Sequence, residues 1–443
     1  MKEKKVFLVA GLGYGDEGKG SIVDYLVRRE NAVAVVRYNG GAQAGHRVVL
    51  KDGREHIFSQ FGSGSFIPGV QTYLSRFMLV EPLGMLAEAE HLQKIGCGDI
   101  FERTVIDGQA PVITPYHIAC GRLMEIKRGV KKHSSCGLGI GEAMEDVNFF
   151  SNDVLRVKDL LSIDEFHRKL LLIKERKLAK LKKILKKLPD SETIAKNKSV
   201  FEKREIIDWF TEGCIEFVKK VTIVNGDYLK NLLEKGVVIF EGAQGMLLDV
   251  NCGFYPYVTK TDISYNNAFT LLKEAEYDGQ VKKIGVLRGY FTRHGKGPFV
   301  TENKYLTKIL PDASNKKHEW QGKFRVGYFD AFAAKYAIEC IGGVDELALT
   351  NLDRLQKMPE LKICRSYKMT YEFNKFFPSV KDIKFSNPKL RKKLARLFCL
   401  AKPLYEKIKS NNINDYIQKI SELLNVKISI LSFGPTVEDK KEV

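Results

Sequence analysis

The sequence has 443 residues, 44% of them apolar, enough for a large buried core in one big α/β enzyme or in two to three ordinary domains. Lys plus Arg number 72 against 54 Asp plus Glu, a formal charge of +18, which admits nucleic acid, acidic membrane surfaces or anionic small molecules as partners. No run approaches the roughly 18 apolar residues of a membrane span, and Met1-Lys2-Glu3-Lys4-Lys5-Val6 leads straight into a strand without a signal or transit pattern. The eight cysteines are scattered, with no Cys-x-x-Cys pair, as expected for isolated thiols in a reducing cytosol; a cytoplasmic location is the expectation. Much of the positive excess lies in Lys174 to Lys187 and Lys389 to Arg396, away from the glycine loops. These stretches are expected to be solvated helix faces, and no recognised nucleic-acid motif accompanies them.

Residues 5–12 form a continuous apolar run, as a strand buried in a parallel sheet would. Gly13-Tyr14-Gly15-Asp16-Glu17-Gly18-Lys19-Gly20 breaks it, Ser21 to Val27 has helical spacing, and Ala32 to Tyr38 reads as the next strand. That alternation predicts an α/β fold with a central, mostly parallel sheet flanked by helices. Further strands are predicted at Val237 to Glu241, Lys283 to Arg288, Glu346 to Thr350 and Lys427 to Ser432. Two Leu/Lys/Glu/Ile-rich stretches, about 153–235 (interrupted at Pro189-Asp190-Ser191) and 386–424, read as helical arms inserted into a single domain spanning 1–443.

The first glycine loop has the form G-x-x-x-x-G-K-G, close to a P-loop but with Gly20 where a hydroxyl residue usually stands. Its glycines let backbone N–H groups turn toward phosphate oxygens, the following helix adds its positive end, and Lys19 supplies a countercharge. A carboxylate beside phosphate is unfavourable unless it serves a purpose. Asp16 therefore reads as a Mg²⁺ ligand, a proton acceptor, or both. Arg37-Tyr-Asn-Gly-Gly-Ala-Gln-Ala-Gly-His46 follows a strand, and its glycines imply close backbone approach to a ligand. His46 can act as general acid or stabilise a charged phosphoryl group.

Gly15-Asp-Glu-Gly-Lys-Gly20, Val36-Arg-Tyr-Asn-Gly-Gly41 and Ala44-Gly-His46 together resemble the signature of the adenylosuccinate synthetase family. The resemblance continues through Glu241 to Gly245, Phe254 to Thr259, Gly289 to Arg293, Leu349 to Asp353 and Ser432 to Pro435, and is weakest in the two arms. It implies a GTP-dependent ligase that joins L-aspartate to C6 of IMP through a 6-phosphoryl intermediate, with one Mg²⁺ per subunit and a homodimer. Asp16, His46 and Lys19 would be catalytic, and Asp16 and Gly45 would hold the metal. Nucleotide contacts would come from Gly15, Glu17, Gly18, Gly20, Gln43, Gly45, Ser135, Cys136, Gln244, Thr259, Asn351, Asp353, Ser432 and Gly434. Lys323 and Arg325 would clamp the aspartate.

The sequence departs from the family where phosphate and aspartate are gripped. Ser134-Ser-Cys-Gly-Leu-Gly-Ile-Gly-Glu142 stands where the family has Gly-Thr-Thr-Gly-Arg-Gly-Ile-Gly-Pro, and the arginine that crosses the dimer has no clear counterpart. His318 to Gly327 is shorter than the family's arginine-rich loop, and Asn351 replaces a lysine. Some of these changes resemble phage relatives acting on dGMP, although Asp16 is retained here. Two alternatives follow: the same chemistry on dGMP or another purine nucleotide, and a catalytically silent nucleotide- or RNA-binding paralogue.

Overall fold

The computed structural model describes residues 4–312, 315, 319–368, 388–409 and 411–443. Strand β1 (Lys5–Gly11) is the centre of the architecture, and Val6, Phe7, Leu8, Val9 and Ala10 are fully buried. A strand whose two faces are both covered has no use for polar alternation, which is why its sequence is an unbroken apolar run. On one side β1 pairs in parallel with Val238–Gly245, and on the other with Gln280–Arg288. Glycine at 11 and 13 then ends the strand and begins helix α1 (Lys19–Arg29) after a left-handed Gly18, φ 86°.

The full sheet has ten strands. In spatial order they are Lys440–Glu442, Ile428–Ser432, Glu346–Thr350, Gln280–Arg288, β1, Val238–Gly245, β2 (Ala34–Arg37), Gln71–Leu74, Thr104–Asp107 and Thr222–Val224. Every neighbouring pair is parallel except the first, where Lys440–Glu442 runs antiparallel to Ile428–Ser432. The expected mostly parallel sheet is therefore present, and the predicted strands lie at its heart. The strands at Gln71–Leu74, Thr104–Asp107 and Thr222–Val224, not anticipated from the sequence, are only three or four residues long.

Helix α1 lays Ile22, Val23, Leu26 and Val27 on one face of the sheet, against Phe7, Val9, Ile239, Val286 and Ile430. The opposite face carries Leu8, Val36 and Phe240 under Leu229, Leu271, Ala334 and Ile420. Outside the sheet, β3 (His46–Val49) and β4 (Glu55–Phe58) form an antiparallel pair that crosses over the start of α1.

The two arms are less purely helical than expected. Residues 153–235 do contain helices Ile163–Leu185, Glu192–Glu202 and Glu205–Lys220, broken at Pro189-Asp190 as predicted, with Ser191 capping the second. They also contain the edge strand Thr222–Val224. In the second stretch, strand Lys402–Lys407 pairs with Lys362–Lys368 between helices Pro388–Phe398 and Ile413–Leu424; residues 386, 387 and 410 lie outside the described residues. A mostly exposed edge strand such as Lys-Pro-Leu-Tyr-Glu-Lys needs no apolar run, so periodicity gives it no signal.

The lysine-rich helix Ile163–Leu185 also differs from a solvated face. Lys182, Lys183, Lys186 and Lys187 are exposed, but Lys177 is buried, bonding Asp146 at 2.7 Å and the Glu142 carbonyl at 2.9 Å. Lys169 is buried on Asp159 at 2.8 Å. Buried charges require such partners, and these fix the arm to the helix Ile140–Phe149 and its surroundings. Among the described residues no helix is long and apolar enough to cross a membrane.

Candidate active site

In an open parallel sheet the ligand crevice lies beyond the carboxyl ends of the strands. Six segments meet there: the loop after β1, the Arg37 to His46 turn after β2, Gln244 and the Phe254 to Lys260 stretch after Val238–Gly245, Arg288 to His294, Thr350 to Asp353, and Ser432 to Gly434. They enclose a cavity of about 840 Å³.

The phosphate loop is held open from behind. Glu17, 3% exposed, accepts the N–H groups of Gly13 (2.9 Å) and Gly15 (2.7 Å) on one carboxylate oxygen. Its other oxygen binds the Lys19 ammonium at 2.7 Å. Lys19 also donates to the Gly15 carbonyl at 2.9 Å, so two of its three donors are committed and one remains for a ligand. Asp16 points the other way, onto the cavity wall. Its carboxylate lies 3.8 Å from the His294 imidazole, while its main-chain carbonyl accepts from Arg288, itself paired with Asp312 at 3.1 Å. Burial raises the Asp16 pKa above the usual carboxylate range and Glu17 adds to the effect; His294, Arg288 and Lys19 oppose it.

Gly20 has a specific reason to be glycine. A Cβ there would stand 2.8 Å from the carbonyl carbon of His46 and 2.9 Å from its Cβ. The position at which a P-loop usually carries a hydroxyl is thus filled by the backbone of β3, which brings His46 onto the start of α1.

His46 is 4% exposed, and its Nδ1 lies 2.5 Å from Glu241 Oε1. Glu241 is fully buried and also accepts from the backbone N–H and hydroxyl of Ser63. Burial opposes the charge on Glu241, but His46, Arg37 and Ser63 together hold it down to about 2. An ionised Glu241 places the His46 proton on Nδ1, leaving Nε2 turned to the cavity without a partner. Burial pushes the His46 pKa down to about 4, Glu241 opposing and Arg37 adding to the shift. An anionic oxygen at Nε2 would favour the imidazolium, with the Glu241 carboxylate behind it to balance the charge. The side-chain amides of Gln43 and Gln244 are likewise buried and unpartnered, and Gln244 is held at φ +54°. Buried polar atoms are nearly always bonded in native proteins, so three such groups facing one cavity indicate a polar ligand.

Of the site residues expected from sequence, Gly15, Asp16, Gly18, Lys19, Gly20, Gln43, Gly45 and His46 line this cavity. So do Ser135, Cys136, Gln244, Thr259, Asn351, Asp353, Ser432 and Gly434. Three expected residues stand elsewhere. Glu17 is turned behind the loop, as described. Lys323 is exposed outside the cavity wall. Arg325 lies on the strand Phe324–Gly327, opposite Arg293, with its guanidinium on Glu302 at 2.6 Å and over the Phe299 ring. His318, at the start of that loop, lies outside the described residues. Glu142 faces the cavity, but its carboxylate is bound by Lys180 at 2.8 Å, so its charge is matched by the neighbouring arm. Arg288, His294, Lys260 and Lys180 also line the cavity and were not singled out from the sequence. His294 and Lys260 each directly follow a residue that was (Arg293 and Thr259), which is the signal that could have found them.

A parallel sheet with a glycine phosphate loop, and a cavity in which a carboxylate, a lysine and a histidine converge, define a nucleotide-using enzyme. The family model for adenylosuccinate synthetase matches residues 8–440. The adenylosuccinate synthetase of Brevibacillus brevis is 33% identical over 97% of each chain, and that of Vibrio parahaemolyticus 33% identical over 97% of this chain and 96% of its own. The chain belongs to the adenylosuccinate synthetase family, and with it is a GTP-using ligase that forms a C–N bond in purine nucleotide biosynthesis. Among solved structures, fully ligated adenylosuccinate synthetase from Plasmodium falciparum superposes with a TM-score of 0.79 over 99% of both chains, at 21% identity. Cyanophage S-2L succinoaminodeoxyadenylate synthetase bound to dGMP and dATP gives 0.58 at 16% identity, over 100% of this chain and 96% of its own.

Proposed function

We propose that the chain joins the amino group of L-aspartate to C6 of IMP, with the cavity residues in the following roles. The observation that carries the assignment is the convergence of Asp16, Lys19 and the free Nε2 of His46 on one cavity. Asp16, its pKa raised, takes the N1 proton of the 6-oxopurine and thereby makes O6 nucleophilic. O6 attacks the γ-phosphorus of GTP, and the bond from that phosphorus to the bridging oxygen breaks, releasing GDP. The free donor of Lys19 and His46 Nε2 face the negative charge that develops in this step. The aspartate amine, as the free base, then attacks C6, the C6–O6 bond breaks with phosphate leaving, and the proton that the nitrogen sheds leaves on that phosphate. Asp353 and Ser432–Gly434 wall the guanine end.

Among the described residues no three His, Cys, Asp or Glu side chains converge as a metal site. A Mg²⁺ ion would draw most of its oxygens from phosphates and water, as this ion commonly does, with the Asp16 carboxylate and the Gly45 carbonyl as the protein's share. Bound there, it would offset phosphate charge. The homodimer and the cytoplasmic location belong to the same proposal.

Phosphate release with GTP, Mg²⁺ and aspartate tests it. The expected result is aspartate-dependent release with IMP, weaker release with dGMP, and little with ATP in place of GTP. Release with dGMP alone would transfer the acceptor assignment to the deoxyguanylate branch, and silence with every acceptor would refute it.

A second expectation concerns pH. Only ionised Asp16 can accept the N1 proton, and in the free protein burial raises its pKa, so kcat/KM falls on the acid side. A profile flat down to pH 4, with the fold intact by circular dichroism, would remove Asp16 from the role of base.

A further inference from the structure

The cavity has an order that contacts along its wall make explicit. Gly18 lies against Thr350, beside Asn351 and Asp353 at the guanine end. Gly20 lies against His46, and Gly40 against Gln244. Gly41 is bounded by Gln43 and Ile140, the first residue of helix Ile140–Phe149. A Cβ on Gly141 would meet Cγ of Lys260 at 3.5 Å. With the γ-phosphate of GTP at Lys19 and His46, the acceptor purine extends past Gln43 and Gln244. On the roles proposed above, its ribose 5′-phosphate would lie toward the end formed by Ser135, Cys136, Thr259 and the start of that helix.

The cations at this end differ in availability. Arg128 is held by Glu125 at 2.6 Å, and Lys180 by Glu142 and Glu145. Lys296 donates to the Val130 carbonyl, and Arg122 to the Gly137 carbonyl beneath the Trp320 ring. Leu138 adds no charge to the loop. Lys260 directly follows Thr259 on the cavity wall and has no carboxylate partner among the described residues; its nearest aromatic contact is the Tyr255 ring, 5.7 Å from its ammonium. Helix Ile140–Phe149 begins at a left-handed Gly139 with no side-chain cap, and the carboxylate of its first-turn Glu142 is drawn off to Lys180. Burial, Arg128 and Lys260 hold the neighbouring His133 below its usual pKa, against the opposing Glu125 carboxylate.

We propose that Lys260 is the cation that binds the 5′-phosphate of the purine acceptor, between Thr259 and the start of helix Ile140–Phe149. The site thereby selects a nucleoside monophosphate over the free nucleoside. The inference rests on the ligase assignment above and adds the residue that grips its acceptor.

Lys260 is exposed, so its substitution leaves the fold intact. Lys260→Ala is expected to raise the KM for IMP about 10-fold, the scale of one charge-assisted hydrogen bond, with kcat and the KM for GTP changed less than about 3-fold. Lys260→Arg should restore most of the loss. Calorimetric titration with IMP and with inosine separates this inference from the ligase assignment, because binding needs no turnover. IMP affinity should fall in Lys260→Ala, while inosine, which has no phosphate, binds wild type and variant alike. Unchanged IMP affinity in the variant, or an equal loss for inosine, overturns the role of Lys260. A wild-type enzyme that binds IMP through Lys260 yet releases no phosphate would overturn the ligase assignment alone.

Discussion

Asp16→Asn is expected to lower kcat by on the order of 10²- to 10⁴-fold, the usual contribution of a positioned general base. The amide keeps the shape of the side chain, and the main-chain carbonyl that holds Arg288 is untouched. Binding of GTP measured without Mg²⁺, whose proposed carboxylate ligand the variant lacks, should therefore remain within a few-fold of the parent. The loop itself is shaped by Glu17 through the Gly13 and Gly15 N–H groups, so losing the Asp16 charge does not unmake the phosphate cradle. Steady-state kinetics with a nucleotide-binding titration check both halves. Turnover within severalfold of the parent would sink the proton-transfer role; lost GTP binding would show that Asp16 organises the nucleotide instead.

Gly20→Ser is expected to inactivate, although it restores the residue that a phosphate-loop pattern favours. The new Cβ would meet the His46 backbone at 2.8 Å and the Arg47 carbonyl oxygen at 3.1 Å, so β3 must move away from α1. His46 moves with it, off the Glu241 carboxylate that orients its ring. Misplacing a catalytic group by about 1 Å costs about 10²-fold, and overpacking a buried contact about 1–3 kcal/mol of stability. A thermal melt and a kcat measurement on the one variant report the two effects separately. An active Gly20→Ser enzyme would show that His46 is not held by this contact.

The fold was legible because β1 is covered on both faces and must be apolar throughout, while glycines mark where it stops. Most of the cavity wall was legible for a related reason: sites in parallel sheets sit at strand ends, and the motifs lie at those ends. Side-chain direction was not legible. Glu17 and Asp16 are adjacent, yet one turns behind the loop and the other onto the cavity, in a loop that turns at Gly15 (φ +113°) and Gly18 (φ +86°). Arg325 sits in the expected segment, but its strand register sends the guanidinium to Glu302. Nor does a count of lysines tell Lys177, buried on Asp146, from Lys182, which is solvated; the difference is made by acidic residues some 30 positions away.

The place of β1 in the sheet also bears on how the chain is made. Its two neighbours, Val238–Gly245 and Gln280–Arg288, are encoded far downstream. At ribosomal rates of ~5–20 residues per second, this apolar strand waits for tens of seconds, roughly, before either partner leaves the exit tunnel. For that interval the nascent chain displays an unpaired apolar edge, open to pairing with other chains. Slow codons ahead of residue 238 would lengthen the exposure.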